Sequence, residues 1–255
     1  MAQTQTKALV TGNIKAVLFD LGDTLINFGE FKRTETVVKA ARSAYDYLKQ
    51  TNQPVRSFYG YILRHIIGLR FQTTWSAMTG KDFDSLQSLK TYGKHKKFDL
   101  TPEQYEELHW AWYRTLKDYA KIEPDLGETL AAMKNAGLKL GIVSNTFVNG
   151  HALDRHLSEE NLIDYFDIRL YSYQVSRRKP HIRIFNDAAA RLELDPGQII
   201  FVGDRVDKDV KGAMNAGMHP VLKSAYTNRG KKVPDGVPKI DKISELPDLI
   251  TKTFA

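Results

Sequence analysis

The spacing of apolar residues changes period several times along the chain. Residues 16–19 form a short unbroken apolar run with β-branched and aromatic members, the pattern of a strand buried on both faces. Comparable runs recur at 138–143, 167–171, 198–202 and 219–222. Between them the apolar residues fall at helical spacing, at 125–136 (closed by Gly137), 151–160, 181–192 and 206–216. Strand and helix in regular alternation predict a parallel sheet with helices on both of its faces.

The alternation is interrupted once, directly after the first strand. Residues 34–50 carry Val37, Val38, Ala41, Ala44, Tyr45 and Leu48 on one helical face. Pro54 is placed to start a second helix that ends near Arg70. A less regular stretch runs from 71 to 100. Thr101-Pro102-Glu103-Gln104 then gives a helix start with a capping Thr, Pro at the first position and Gln three residues after the cap. Roughly ninety residues of mostly helical pattern between two sheet elements predict an inserted domain. The expected organisation is a tail at 1–13, a Rossmann-like α/β core at 14–25 and 121–255, and a helical cap at 26–120.

Composition adds limits. The 255 residues hold 42% hydrophobic and 26% charged side chains, enough apolar content for a real core. There is no Cys, which removes disulfides and thiolate metal sites and suits a reducing, cytoplasmic setting. No apolar run is long enough to span a membrane, and the polar first residues lack the apolar stretch of a signal peptide. The net charge of +7 is concentrated in 26–120, with 15 Lys and Arg against 10 Asp and Glu. The basic run Lys94–Lys97 is flanked by Tyr92 and Phe98, an arrangement that nucleic-acid binders use for stacking. The preferred reading is a solvated basic face with both rings packed into the cap, so no nucleic-acid partner is expected. His65, Trp75, Trp110 and Trp112 read as cap core or cap-to-core contacts.

Candidate chemistry lies where the predicted strands end. Asp20, Ser144 and Asp204 each follow an apolar run, and Lys179 precedes a helix. In an open α/β sheet these positions meet at the carboxyl edge, where ligands bind. Two carboxylates there repel unless a cation lies between them, and all-oxygen ligation suits Mg²⁺. A Lys and a Ser hydroxyl beside them suit a phosphate.

Four segments carry a resemblance to the haloacid dehalogenase-like hydrolases with a helical cap. They are Leu18-Phe19-Asp20-Leu21-Gly22-Asp23-Thr24-Leu25, Ile142-Val143-Ser144-Asn145-Thr146, Arg178-Lys179-Pro180 with Ile184-Phe185, and the fourth from Ile200 through Gly203-Asp204 to Asp209 and Ala213. The resemblance implies a Mg²⁺-dependent phosphatase acting on a small phosphorylated metabolite. Asp20 would be the nucleophile, forming an aspartyl-phosphate. Thr24, Ser144 and Asn145 would hold phosphoryl oxygens or their neighbours, and Lys179 would neutralise phosphate and restrain Asp20. Asp20, Asp204, Asp209 and the Gly22 backbone carbonyl would serve the metal.

One position departs from the family pattern. Its phosphatases carry an acid/base Asp two residues after the nucleophile, where this chain has Gly22. Asp23 is adjacent, but Thr24 fixes the register and keeps it out of that role. General acid catalysis contributes roughly 10²–10⁴-fold, so a phosphatase slow on alkyl esters and better with good leaving groups is expected. The alternatives are a 2-haloacid dehalogenase, a phosphonatase or a catalytically weak binding module. Gly203-Asp204 with Asp209 argues against the first. A phosphonatase needs a cap lysine, for which Lys32, Lys39 and Lys49 qualify by location only.

Overall fold

The computed structural model describes residues 9, 11–30, 33–175 and 177–254. The expected tail at 1–13 and the candidate Lys32 lie largely or wholly outside them. Six parallel strands form one sheet: β1 (Ala16–Phe19), β2 (Lys139–Ser144), β3 (Ile168–Tyr171), β4 (Ile199–Gly203), β5 (His219–Lys223) and β6 (Lys239–Ile240), in the order β3-β2-β1-β4-β5-β6. β1 is central, pairing Phe19 with Ile142 on one side and Val202 on the other. Alternate side chains feed two cores. Val17 and Phe19 join Leu140, Ile142, Ile200 and Val202 on one face. Ala16 and Leu18 join Val143, Leu170 and Phe201 on the other. The period of two therefore shows in the packing, although every position of β1 is buried.

Four helices stand between β1 and the rest of the sheet: α1 (Arg33–Gln50), α2 (Phe58–Thr79), α3 (Ser85–Lys96) and α4 (Pro102–Lys117). They share a core of their own, with Ala44, Leu48, Tyr61, Leu86, Tyr105 and Leu108. The chain crosses between the two bodies at Asn27 and Lys121, whose backbones exchange two hydrogen bonds of 2.8 Å. α4 faces both ways. Leu108 belongs to the helical core, whereas Trp110 and Tyr113 are buried in the core under the sheet. The helices covering the sheet are α5 (Leu126–Asn135), α6 (Gly150–Glu159), α7 (Ile182–Leu192), α8 (Lys211–Asn215) and α9 (Leu246–Phe254).

Four sequence expectations are corrected here. The second helix starts at Phe58, capped by Ser57, rather than at Pro54, and continues to Gly80 in the left-handed conformation. The stretch read as less regular is the second half of α2 plus α3, which Asp84 caps. α2 carries apolar side chains around much of its surface, so no stripe marked its length. Trp75 is 59% exposed on that helix and joins neither core. The predicted helix at 206–216 opens with a π-turn, Val206–Val210, before α8. Tyr92 and Phe98 do pack edge-on in the cap, 5.8 Å apart, and His65 stacks on Tyr61. Lys39 and Lys49 are exposed. Among the described residues no helix is long and apolar enough to cross a membrane.

Candidate active site

Asp20 leaves the end of β1 while its backbone N–H still donates to the Val202 carbonyl, so the sheet fixes its position. Its Oδ1 accepts from the Leu21 N–H at 2.8 Å. Asp204 follows β4 in the same way. Asp209 comes back over the strand end from the π-turn. It reaches there because position 203 is glycine: a Cβ on Gly203 would sit 2.4 Å from the Asp209 carboxyl carbon. Helical turns of this wide type are concentrated at functional sites. One carboxylate oxygen each of Asp20, Asp204 and Asp209 lies within 4.8 Å of the others.

Lys179 is the cation among them. It is 1% exposed, with Nζ 3.0 Å from Asp20 Oδ1 and 2.7 Å from Asp209 Oδ1. The Asp209 contact is the shorter of the two, and the ammonium has three donors to share between the carboxylates and a ligand. Burial lowers the Lys179 pKa, but the two carboxylates outweigh it and leave the pKa above its ordinary value. Burial pushes Asp204 up to about 7, helped by the charge of Asp20. Burial likewise raises Asp209 to about 6, against the pull of Lys179. One buried lysine faces three carboxylates, and the excess negative charge is what a divalent cation bound through oxygen would balance.

The other predicted residues divide into two groups. The Ser144 side chain is buried at the end of β2, and its hydroxyl makes no hydrogen bond among the described residues. The Gly22 carbonyl accepts no backbone hydrogen bond among them either. The bridge between Gly22 and Ile26 uses the Leu21 carbonyl and the Asp23 N–H instead. Thr24 donates to Asp204 Oδ1 at 3.4 Å, a long contact that orients the carboxylate. Asn145 grips the backbone of Lys179. Its Nδ2 donates to the Lys179 carbonyl at 2.9 Å and its Oδ1 accepts the Lys179 N–H at 2.8 Å, so both ends of the amide clamp the lysine. Asp23 stands in the left-handed region, accepts from Phe28 N–H and is held by Tyr226 and Gly29. Burial raises its pKa. It closes a loop and leaves position 22 without a carboxylate.

Sequence reasoning missed the support behind Asp204. The Thr227 hydroxyl bonds its Oδ2, and Asn228 Nδ2 donates to the Asp204 and Lys223 carbonyls at 2.8 Å each. The available signal was a polar loop following a strand, since β5 ends at the same sheet edge. Also missed was the contact of the cap loop between α2 and α3. Asp82 accepts from Arg178 Nη1 at 3.1 Å and from the Ser172 hydroxyl at 2.5 Å. Arg177 lies on the surface and donates to the Thr79 carbonyl at the end of α2.

A family model described as haloacid dehalogenase-like hydrolase matches residues 14–217. Glyceraldehyde 3-phosphate phosphatase of Methanopyrus kandleri is 30% identical over 243 residues, covering 93% of this chain and 97% of that protein. The protein of that name from Methanocaldococcus jannaschii is 31% identical over 222 residues, covering 84% and 87%. Among solved structures, a HAD phosphatase from Thermococcus onnurineus is 25% identical with a TM-score of 0.60, covering 93% and 98%. A 2-haloacid dehalogenase from Pseudomonas syringae shares the fold, with a TM-score of 0.58 at 23% identity over 94% of this chain and 99% of that one.

Proposed function

Because the chain belongs to the haloacid dehalogenase-like hydrolase family and is a hydrolase of its phosphatase type, we propose that it is a Mg²⁺-dependent phosphatase with Asp20 as nucleophile. The observation that carries this reading is the buried Lys179 between Asp20 and Asp209, with Asp204 beside them. Mg²⁺ would be held by Asp20, Asp204 and the Gly22 carbonyl, and would supply charge stabilisation to the phosphoryl oxygens. Asp209 has one oxygen on Lys179 and the other on the Arg205 N–H, which favours a supporting role behind the metal over direct ligation.

The chain's own groups then divide the work. An Asp20 carboxylate oxygen forms a bond to phosphorus as the phosphorus–oxygen ester bond breaks, and the leaving alkoxide takes its proton from solvent. Water next attacks phosphorus, the acyl-phosphate bond breaks, and inorganic phosphate and the Asp20 carboxylate are released. Lys179 and the Ser144 hydroxyl bind phosphoryl oxygens, and fixed donors in a buried site act more strongly than in water. Gly22 provides no acid for the first step, so the rate depends steeply on leaving-group pKa.

The relatives named glyceraldehyde 3-phosphate phosphatase support a small phosphomonoester of that class as substrate. The test is phosphate release from glyceraldehyde 3-phosphate, para-nitrophenyl phosphate and acetyl phosphate, with Mg²⁺ or with EDTA. The expected result is Mg²⁺-dependent turnover, fastest on acetyl phosphate and absent in Asp20→Asn. Turnover that survives Asp20→Asn overturns the nucleophile assignment. Equal rates on all three substrates overturn the reading of Gly22.

A further inference from the structure

The outward face of α2 is apolar along its whole length. Tyr59, Leu63, Ile67, Phe71 and Trp75 follow one another at intervals of four residues, and Met78 comes three later, so the six share one half of the helix. They are 83%, 59%, 59%, 71%, 59% and 77% exposed in that order. The opposite half carries Tyr61 and Ser76, which are buried. Exposed apolar residues scattered singly are ordinary, whereas a continuous row of six marks an interaction surface. The row is about 29 Å long. Side chains of these sizes and exposures present on the order of 800 Å², one partner's share of a standard protein interface.

Two features of the row point to a second copy of this chain as its cover. The row matches itself when turned end for end. In an antiparallel pairing about position 69, Ile67 of one copy meets Phe71 of the other, Leu63 meets Trp75, and Tyr59 meets Met78. Each meeting sets one aromatic ring against one non-aromatic apolar chain, the self-complementarity that a two-fold interface requires. The second feature is the groove beside the row. Residues four apart form a ridge on a helix, and the neighbouring ridge here is Gly60, Arg64, Gly68 and Gln72. Its two glycines leave room for a ridge from outside. Gly68 is exposed, is not in the left-handed region, and would meet no atom within 4 Å if it carried a Cβ. Nothing within the chain therefore requires this poor helix former in the middle of α2. Ridges of this kind packed into each other's grooves cross at about 50°.

The charges fit a pairing held by apolar burial. α2 carries Arg64 and Arg70 and no carboxylate, and Arg64 turns back to Tyr92 of α3. Two copies bring like charges to the rim, where salt screens them, so salt does not weaken the pair. Attraction to an anionic surface responds to salt in the opposite way.

We propose that two copies of this chain pair antiparallel through the outward face of α2, with Ile67 and Phe71 at the centre. None of the six side chains belongs to the carboxylate site, so the pairing does not rest on the phosphatase reading.

The test is sedimentation equilibrium of the full chain from about 1 to 100 μM. The expected species has twice the mass of one chain, and its dissociation constant rises by at least about a hundredfold in the double variant Ile67→Lys, Phe71→Lys. Both positions are exposed and lysine is a good helix former, so far-ultraviolet circular dichroism should show an unchanged fold. A monomer throughout the range overturns the proposal, and a monomer that sediments with vesicles of anionic lipid assigns the row to a membrane surface instead. A dimer that persists in the lysine variant has its interface elsewhere, which also overturns it. So does dissociation on raising NaCl from about 0.1 to 1 M, because opposite charges would then hold the pair. The chain has no Cys, so the register can be read by oxidising the double variant Ile67→Cys, Phe71→Cys. The expected product is a covalent dimer linked from position 67 of one copy to position 71 of the other. A linkage between the two positions 67 overturns the antiparallel pairing.

Discussion

The carboxyl edge of the sheet and the seam beneath the helical cap both bury polar side chains, but in opposite ways. At the sheet edge the buried groups are charged: three carboxylates surround one lysine, and Asp204 and Asp209 hold protons more tightly than usual. At the seam they are neutral. His109 and His156 sit buried against Ser85 and Tyr113, each lowered to about 4 by desolvation. The contrast shows where charge can be kept in this fold. Strand ends fix carboxylates rigidly enough for a lysine to serve two of them. In the seam between α4 and α6 the fully buried groups are neutral, and the ion pairs Lys117–Glu159 and Arg155–Glu107 stand at its more exposed rim.

The largest expected effect is at the sheet edge. Lys179→Met leaves Asp20 and Asp209 buried without their cation. Removing one member of a buried ion pair costs about 3–5 kcal/mol, and activity is lost with it. Urea unfolding at pH 8 in EDTA measures the cost. At pH 5 a large part of it should return, since Asp209, already raised to about 6, can then neutralise. A variant as stable as the parent at pH 8 would mean the edge does not depend on internal charge pairing.

Gly22→Asp comes next. A side chain there would approach the Phe28 ring no closer than 3.9 Å from its Cβ, so the site has room for it. Restoring an acid at this position should raise the rate on glyceraldehyde 3-phosphate by about 10²-fold or more and leave acetyl phosphate nearly unchanged. Equal gains on both substrates would point to metal binding rather than proton transfer.

Most of this edge was legible in the sequence because a strand gives its last residue only one place to go. Asp20, Ser144 and Asp204 follow apolar runs, and the parallel pairing brings those runs to one edge. Which neighbour Asn145 holds was not legible, because a side chain one residue past the strand can turn either to a ligand or to the backbone, and its amide bonds the Lys179 backbone. Thr227 and Asn228 belong to a loop with no period. α2 and α3 were misread because helices that share a small core among themselves need no continuous stripe. The cap loop's contact with the core depends on Asp82, Ser172 and Arg178, which are distant in sequence and ordinary in type.

The two regions should respond to acid with opposite sign. The folded-state pKa of Asp204, about 7, is above its ordinary value of 3.8, so folding takes up a proton between them. That stabilisation is complete below the unfolded pKa and is lost as pH rises through about 7. His109 is depressed from 6.5 to about 4, so the unfolded chain takes up the proton instead. Its contribution is present above pH 6.5 and lost as pH falls through about 4, at most about 3 kcal/mol. Chemical unfolding from pH 8 to pH 4 in EDTA separates them. Asp204→Asn should reduce the gain on acidification, leaving the part that Asp209 supplies, and His109→Gln should remove part of the loss. Mg²⁺ should suppress the gain and leave the loss intact. The same sign in both regions would end the contrast.

The smallest effect tests whether the regions are separate at all. The Asp82 side chain is 6% exposed in the loop between α2 and α3, where it receives the Ser76 hydroxyl, Arg178 Nη1 and the Ser172 hydroxyl. Ser172 in turn accepts the Thr146 N–H, and Thr146 lies two residues after Ser144. One cap carboxylate thereby reaches the loops after β2 and β3 and the residue before Lys179. Asp82→Ala frees Arg178, which is 26% exposed and can rehydrate, so the expected loss is about 1–2 kcal/mol rather than that of a fully buried pair. If Asp82 only docks the cap, KM for glyceraldehyde 3-phosphate should rise a few-fold while kcat on para-nitrophenyl phosphate stays near the parent value. A parallel fall in kcat on both substrates would show that the latch also holds Lys179 through Arg178. The charged edge would then depend on the cap for its geometry.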